Sequence, residues 1–432
     1  MNASAPLTRA QRDLGCTPAA DPVGGHVVVL VHEGMYGAVS GSGFSNRTFL
    51  IALAGIVPHG RLVVVPVLLP TDHPGYDPGW AADMEGILQQ AGARVLPIHG
   101  ASLLTGPVDR EALCYMAVRR AVPYLGTGSL LVGCDVPFLA VGSYAPEGTA
   151  VLLVPRSTAL LSGSTSRETV EWERRGLAGA VHRGGRIAAI SDHMREHLCE
   201  EFGLPDVAVV DMPNGLLTGE EFSGHRKAPP LPPAARAGFI LAMGRAEASK
   251  GFEDLLHAVR LLADAAVAVP HLVLVAGSSA GVLNACQRRL KILVGSLGVD
   301  ATLLTRFDPA VRGWLRDPSL HAVVVPSREE PFGRIPLEAF AAGAGPVVAT
   351  TAGGLAQTVR DGETGYSASP HAPQELAVAL RRALEAAPGE RRRLARAGAR
   401  LVARHHDYAV TIRTVVSQCA PWTLTTGDGG PR

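Results

Sequence analysis

Long hydrophobic runs are missing from the sequence. The most apolar stretch, Leu62–Leu69, is short and contains Pro66, whereas a helix that spans a bilayer needs roughly 18 apolar residues. Residues 1–21 contain no apolar segment of the signal-peptide type. We therefore expect no stable membrane insertion and a cytoplasmic location.

Clustered cysteines and an excess of one charge are also missing. The six cysteines are scattered and form no C-x-x-C pair, which argues against a zinc ribbon, a redox dithiol and a disulfide scaffold. Forty Lys and Arg face 39 Asp and Glu, so the net charge is only +1. Because the chain carries no global positive field, we expect no nucleic-acid partner, and any anion site must be local.

The composition is that of a globular α/β protein. Hydrophobic residues make up 47% of the 432 residues and charged residues 18%, and at about 150 residues per domain the length favours two or three domains. Continuous apolar runs alternate with longer amphipathic stretches, which predicts doubly wound, Rossmann-like parallel sheets. Strands are predicted at 26–31, 61–67, 94–98, 129–132, 150–154, 186–190 and 207–210, then at 239–243, 272–276, 301–305, 322–326 and 346–350.

A proline-rich stretch divides the chain. Four prolines lie between Pro229 and Pro233, and such a stretch suits neither a core strand nor a helix interior. We expect a first Rossmann-like domain at 22–223, a linker at 224–237 and a second Rossmann-like domain at 238–406. A final helix at 407–420 is expected to pack back on the first domain. Inside the first domain, Thr165 and Glu168 have capping-box spacing and predict a helix from about Arg167.

Two stretches of the second half combine charges with strand-to-helix turns. In the first, Arg245 and Lys250 follow a strand in MGRAEASKGFEDLL, so both cations can reach one group in a cleft. In the second, REEPFGRIPLEAF, Glu330 precedes a turn and Glu338 lies on the following helix. The free N–H groups near Gly333 would form an anion-binding helix start. Hydroxyls at one carboxylate and phosphate at the amides would match a sugar nucleotide.

These motifs together resemble the retaining glycosyltransferases of family 4, which have the GT-B fold of two Rossmann-like domains facing across a cleft. The resemblance joins the Arg-x4-Lys-Gly element to the Glu-x7-Glu element, with Pro-Phe-Gly at 331–333, GxGPVVA at 343–349 and Gly-Gly at 353–354. It is looser in the first half, where WERRGLAGAVHRGGRIAAISDHM and 212–216 are similar.

The resemblance implies that 22–223 is the acceptor-side domain and that 238–406 is the nucleotide-sugar-binding domain. It also implies roles for individual residues. Arg245 and Lys250 would hold the donor diphosphate, and Glu330 would bind hydroxyls of the donor sugar. Donor binding would also involve Phe332, the amides of Gly333, Arg334 and Ile335, and Glu338 at the ribose. The family transfers sugars with retention of configuration and without a metal ion or other cofactor, in a front-face process in which the leaving diphosphate helps to deprotonate the acceptor.

The first half contributes weaker signals. The segment 37–46 resembles the family's N-terminal glycine loop, with Gly41 and Gly43 near the donor phosphates and a helix from Arg47. Many relatives carry a histidine after a central strand of the first domain, in a motif such as T-x-H-G, where this chain reads Val-Pro-Arg at 154–156. Asp135 and Arg156, both at predicted strand ends, are the candidates for acceptor contact.

The resemblance leads to a functional expectation. We expect a hexosyltransferase that uses a UDP-sugar, such as UDP-N-acetylglucosamine or UDP-glucose, and a small hydroxylated acceptor. Family frequency alone favours UDP. Richness in Ala, Arg, Gly and Pro suggests a high-GC bacterial source. The stretch VHEGMYGAVSGSGFSNRTFL resembles antibiotic-pathway transferases that act on aminocyclitols.

Two alternatives remain at this point. GSSAG at 277–281 follows a strand and places Ser279 where a serine hydrolase has its nucleophile. The cleft could instead bind a nucleotide sugar without transferring it. His193 and His197 lie four residues apart near Cys199, but without the HExxH order they are expected to form a solvated helix face rather than a metal site.

Overall fold

The computed structural model of the chain describes residues 25–424 except 74, 105, 165, 218–227, 279–281 and 307. Within these residues, two parallel sheets of Rossmann type form, one from each half of the chain. This arrangement agrees with the predicted fold class. Ser279 and Thr165 lie outside the described residues, as do the first four residues of the proposed linker.

The first sheet, as far as the structure describes it, has seven strands in the order β3-β2-β1-β4-β5-β6-β7. Its strands are β1 (Val27–Val31), β2 (Leu62–Pro66), β3 (Arg94–Val95), β4 (Leu130–Cys134), β5 (Ala150–Val154), β6 (Arg186–Ala189) and β7 (Val209–Asp211). Its helices are α1 (Gly41–Ile56), α2 (Pro78–Gln90), α3 (Pro107–Ala121), α4 (Arg167–His182) and α5 (Asp192–Glu200). The strand order reverses between β1 and β4, the kind of position where open α/β sheets bind ligands.

The second sheet, over the same described residues, has six strands in the order β10-β9-β8-β11-β12-β13. Its strands are β8 (Phe239–Arg245), β9 (His271–Ser278), β10 (Ala301–Arg306), β11 (Leu320–Val325), β12 (Val347–Thr350) and β13 (Tyr366–Ala368). The helices of this half are α6 (Phe252–Asp264), α7 (Ala285–Leu297), α8 (Arg334–Ala342), α9 (Leu355–Thr358), α10 (Pro373–Glu385), α11 (Pro388–His405) and α12 (Tyr408–Cys419).

Several boundaries differ from the sequence predictions. Helix α1 begins at Gly41 rather than Arg47, because the Ser40 hydroxyl caps its first turn by accepting the N–H of Gly43. Strand β3 pairs over only two residues, and β7 starts at Val209 because 206–208 form a 3-10 turn. Strand β13 was not predicted. Helix α4 begins at Arg167 as expected, with Ser166 as its cap.

The last helix, α12, returns to the first half of the molecule. The Phe49 ring of α1 and the Tyr408 ring of α12 have centroids 6.4 Å apart. Where the chain re-enters, the backbone N–H of Leu216 donates to His406 and that of Tyr408 donates to Leu216. The chain therefore passes between the halves at two points, and Leu216 at the end of the first half is hydrogen-bonded to the point of return.

Apolar side chains are buried continuously through both halves. One cluster extends from Val29 in the first sheet through Phe332 and Leu337 of the second half to Tyr408. A second cluster, which includes Leu274, covers the other face of the second sheet. Among the described residues, no helix is both long and apolar enough to cross a membrane.

Candidate functional site

A cavity of about 500 Å³ lies where the carboxyl ends of the two sheets meet. The first half contributes residues that follow β1, β4 and β5, and the second half contributes residues at the ends of β8 and β11. Of the sequence-predicted site residues, those that line the cavity are Gly41, Asp135, Arg156, Arg245, Lys250, Glu330, Phe332, Gly333, Arg334 and Ile335; Gly43 and Glu338 do not.

Arg245 and Lys250 reach the cavity from the loop between β8 and α6. Arg245 is the last residue of β8, and its side chain is half-exposed and paired with Glu247 at 2.8 Å. Lys250 is largely buried, and its Nζ lies 2.6 Å from Oε2 of Glu330. The loop therefore brings two cations to the same space, one half-exposed and one largely buried, each paired with a carboxylate.

Gly251 explains why Lys250 meets Glu330. Its φ is +63°, and a Cβ at this position would lie only 1.9 Å from the carbonyl oxygen of Pro326. Only glycine combines this backbone conformation with so close an approach. The β8–α6 loop can therefore lie directly against the β11–α8 loop that carries Glu330.

Helix α8 begins at the cavity with no side-chain cap. Its N-cap is Gly333 at φ +90°, and no side chain accepts a hydrogen bond there. A Cβ on Gly333 would approach Leu355 Cδ2 to 2.4 Å, which keeps the turn tight. The first N–H groups of a helix have no intrahelical acceptor and carry partial positive charge. This end of α8 is thus suited to an anion.

Glu338 lies beneath the cavity rather than in its wall. It is 2% exposed, and its carboxylate accepts from Arg312 Nε at 2.8 Å and from Arg334 Nε at 3.4 Å. Burial alone would raise the pKa of Glu338, but the two guanidinium groups outweigh burial and hold that pKa below its ordinary value. Direct contact between Glu338 and a ribose stays a prediction and requires Arg312 to move.

Arg312 is a site residue that the sequence reasoning missed. It lies in the 3-10 turn Pro309–Arg316, lines the cavity, and places its guanidinium carbon 3.9 Å from the ring centroid of Phe44 in α1. It therefore connects the two halves across the cavity. Its partners, Phe44 and Glu338, lie in other elements, so no local pattern marked this arginine as a site residue.

His32 and Glu33, which follow β1, also line the cavity and were missed. Their signal was available, because residues directly after a strand at the order reversal of a sheet often contact ligands. Glu33 supports the start of α1 by accepting from the Ser40 hydroxyl at 2.5 Å. A Cβ on Gly43 would lie 2.9 Å from Glu33 Cδ, so Gly43 makes room for this carboxylate. Its approach to donor phosphates stays a prediction.

Asp135 has a strained backbone. Its φ is +71° and its ψ is 174°, a conformation that is nearly exclusive to glycine and costs about 1–3 kcal/mol in other residues. The Asp135 N–H donates to Val154, and the Asp135 carboxylate accepts the N–H of Val136. The strained residue stands at the cavity wall, at the end of β4.

Arg156 is a buried cation among neutral groups. It is 4% exposed, and it donates to Asn46, to Asn214 and to the hydroxyl of Tyr408. These bonds join the end of β5 to α1 and α12. Because the guanidinium is held from several sides, its first role is to fix the shape of the cavity wall that the first half forms.

The halves also contact each other directly beside the cavity. Arg334 Nη1 donates to Ser45 Oγ and to the carbonyl oxygen of Gly215, both at 3.3 Å. The hydroxyl of Ser191, at the start of α5, donates to the carbonyl oxygen of Pro331 at 2.6 Å. The structure is therefore a closed arrangement of the two halves.

Of the two histidines of α5, His197 has a structural role, which corrects the expectation that it lies on a solvated helix face. His197 is buried and lies 2.8 Å from the hydroxyl of Thr158, and burial, with a smaller effect from His193, lowers the pKa of His197 to about 4. Over the residues that the structure describes, no three His, Cys, Asp or Glu side chains come together as metal ligands. The nucleophile proposed at Ser279 lies outside those residues.

Two Rossmann-like domains with facing carboxyl edges define the GT-B fold, and this chain has that fold. Residues 227–401 match the family described as Glycosyl transferases group 1. Sucrose-phosphate synthase from Thermosynechococcus elongatus aligns with a TM-score of 0.69 at 20% identity, over 91% of this chain and 98% of that one. HepE of Anabaena, in a structure with UDP-glucose, aligns at 0.64 and 18% identity, over 91% and 98%.

Among curated relatives, a D-inositol 3-phosphate glycosyltransferase of Thermomonospora curvata is 33% identical over 277 residues. The alignment covers 60% of this chain and 61% of that relative. The chain thus spans about three fifths of the relative's length.

Proposed function

We propose that the protein is a retaining glycosyltransferase of the family 4 type that moves a sugar from a nucleoside-diphosphate sugar to a hydroxyl of a small acceptor, without a metal ion. The observation that carries the proposal is the convergence of Arg245, Lys250 and Glu330 with the uncapped start of α8 on one cavity. The match of residues 227–401 to a glycosyltransferase family supports it.

The donor would bind mainly to the second half. Diphosphate oxygens would pair with Arg245 and Lys250, and a unit charge at 4 Å contributes about 4 kcal/mol of gross attraction at an effective dielectric of 20, before desolvation is subtracted. When Lys250 turns to the phosphate, Glu330 is released to accept hydroxyls of the sugar. Ser327, which donates to Glu330 at 3.2 Å, would hold the carboxylate in place.

The reaction would exchange one bond to the anomeric carbon for another. The bond from that carbon to the diphosphate oxygen breaks, and the acceptor oxygen forms its bond on the same face. The acceptor proton passes to the leaving diphosphate. The two cations and the α8 dipole stabilise the charge that develops on the leaving group. Asp135, at the opposite wall, would accept a hydrogen bond from an acceptor hydroxyl.

The identities of the donor and the acceptor are proposed more specifically. A structural neighbour was solved with UDP-glucose, which favours UDP-glucose or UDP-N-acetylglucosamine as donor. Relatives named for an inositol phosphate favour a cyclic polyol acceptor, a chemical class close to the aminocyclitols of antibiotic biosynthesis. A cytoplasmic location stays a prediction.

Release of nucleoside diphosphate tests the proposal. The purified protein is incubated with a panel of UDP-, GDP- and ADP-sugars and cyclic polyol acceptors. We expect acceptor-dependent release of one diphosphate and a product with the donor's anomeric configuration. No release with any pair, or an inverted product, contradicts the proposal.

Three variants and one control test the roles. Arg245→Ala and Lys250→Ala should each lower kcat about a hundredfold, because each removes charge from the leaving group. Glu338→Ala should mainly raise the KM for the donor, because it removes the carboxylate proposed for the ribose and leaves Arg312 without this partner. Lys291→Ala, on the exposed face of α7, should leave both constants unchanged. Normal kcat in both cation variants would exclude the leaving-group role.

A further inference from the structure

A second concave surface, here called the α3–α4 groove, lies on the first half of the molecule. It has a volume of about 580 Å³ and shares no lining residue with the cavity between the sheets. Helices α3 and α4 form its walls. Its aromatic and charged lining residues are Glu111, Tyr115, Tyr144, Glu168, Trp172 and Arg175.

The floor of the α3–α4 groove is aromatic, and the polar atoms of Glu111, Tyr144 and Trp172 are bonded to one another. The carboxylate of Glu111 accepts from the Tyr144 hydroxyl and, at 2.6 Å, from Trp172 Nε1. The ring of Tyr115 stands edge-on to Tyr144 with 5.6 Å between centroids, and Tyr115 is 50% exposed. A ligand on this floor would therefore meet an aromatic surface that these bonds hold in place.

The rim of the groove carries two charged side chains. Glu168 and Arg175 are exposed, and within the described part of the chain their side chains form no ion pair or hydrogen bond. Their opposite charges cancel, so the rim offers donors and acceptors but no excess of positive charge. Such a rim suits a neutral occupant with hydroxyl groups and does not suit a phosphate or a nucleic acid.

We propose that the α3–α4 groove binds a neutral carbohydrate. A pyranose ring has an apolar C–H face, which would lie on Tyr115, and a border of hydroxyls, which would bond to Glu168 and Arg175. The volume of the groove, about 580 Å³, is within the roughly 300–1,000 Å³ of small-molecule sites. A stable protein partner would need a much more extended surface, about 800 Å² per side.

The position of the groove links it to the cavity. Leu161 and Ser162 line the cavity, and Glu168, six residues later, lines the groove. Six residues of chain span at most about 20 Å, so a glycan in the groove would lie no further than that from the wall of the cavity at Ser162. The binding itself does not depend on that transfer.

Ligand-detected NMR with maltoheptaose, mannohexaose and chitohexaose tests the proposal on the full chain. We expect saturation transfer from the protein to at least one of these glycans. Tyr115→Ala should weaken its binding at least tenfold, because the stacking surface is lost. Tyr115→Phe keeps the ring and should bind like the wild type, as should Met116→Ala, which alters an exposed neighbour outside the groove.

The proposal would be overturned if no saturation transfer reached any of the glycans, or if glycan binding survived Tyr115→Ala in a folded variant. A Tyr115-dependent dimer in sedimentation that glycans do not affect would also overturn it. Thermal stabilisation by UDP, measured in the same samples, reports on the donor site. Glycan binding without a UDP effect would leave this inference standing and count against the proposed transfer.

Discussion

At the residue scale, the charged side chains of the second half were predictable and their partners were not. Arg245, Lys250 and Glu330 belong to motifs that follow strands, and the structure brings them to one cavity. The burial of Glu338 beneath Arg312 depends on an irregular turn distant in sequence, which no local pattern encodes. The backbone strain at Asp135 could not be predicted either, because the residue type does not indicate its backbone angles.

Asp135 gives a prediction at this scale. Asp135→Gly should relieve the strain and Asp135→Ala should keep it, while both remove the carboxylate. Glycine also adds freedom to the unfolded chain, which offsets part of the gain. We expect the glycine variant to be more stable than the alanine variant by about 1 kcal/mol in urea unfolding. Equal stability would show that the backbone relaxes without cost.

At the element scale, most strands and helices could be predicted, because buried parallel strands read as continuous apolar runs. The exceptions have local causes. Strand β13 has only three residues, Tyr366–Ala368, too few to show a period. Helix α1 starts in a glycine-rich segment that resembles a loop, and its start depends on Ser40 and on Glu33.

The contact between the β8–α6 and β11–α8 loops gives a prediction for one pair of glycines. Gly251 and Gly298 have nearly the same φ, +63° and +60°, but a Cβ on Gly298 would meet only Arg260 Nη1 at 3.9 Å. Gly298→Ala should therefore cost about 1–2 kcal/mol, from the backbone conformation alone. Gly251→Ala should cost at least about 2 kcal/mol more, because backbone must also shift. Equal free energies of unfolding would contradict the close approach.

The turn between β5 and α4 gives a prediction on pH. Both oxygens of the buried Glu173 accept the N–H of Ala159, at 3.0 and 2.9 Å. Burial raises the pKa of Glu173 to about 7, although the Ala159 N–H opposes the shift. Since this pKa lies above its unfolded value, the contribution of Glu173 to stability is complete below about pH 4.5 and is lost as the pH rises through 7.

Glu173→Gln removes this titration. Between pH 4.5 and 8, the wild type should lose on the order of 3 kcal/mol of stability relative to the variant. Urea unfolding at several pH values measures the difference, and Glu171→Gln, exposed on the same helix, is the control. Parallel pH profiles of the wild type and Glu173→Gln would refute the assignment.

At the scale of the whole molecule, the division into two α/β halves was readable from the sequence, whereas the continuity of their cores was not. One apolar cluster includes side chains of both sheets and of α12. We therefore expect a single cooperative unfolding transition, with equal calorimetric and van't Hoff enthalpies. Two resolved calorimetric peaks would mean that the halves unfold independently.

The hydrogen bonds between Leu216 and the segment at His406–Tyr408 restrict how the cleft can open. Two covalent connections that are tied together at this place act as one pivot. A hinge rotation about that pivot would move the two sheets apart and keep these hydrogen bonds. Sliding or twisting of one half against the other would break them. Substrate entry would therefore widen the cleft on the side away from Leu216.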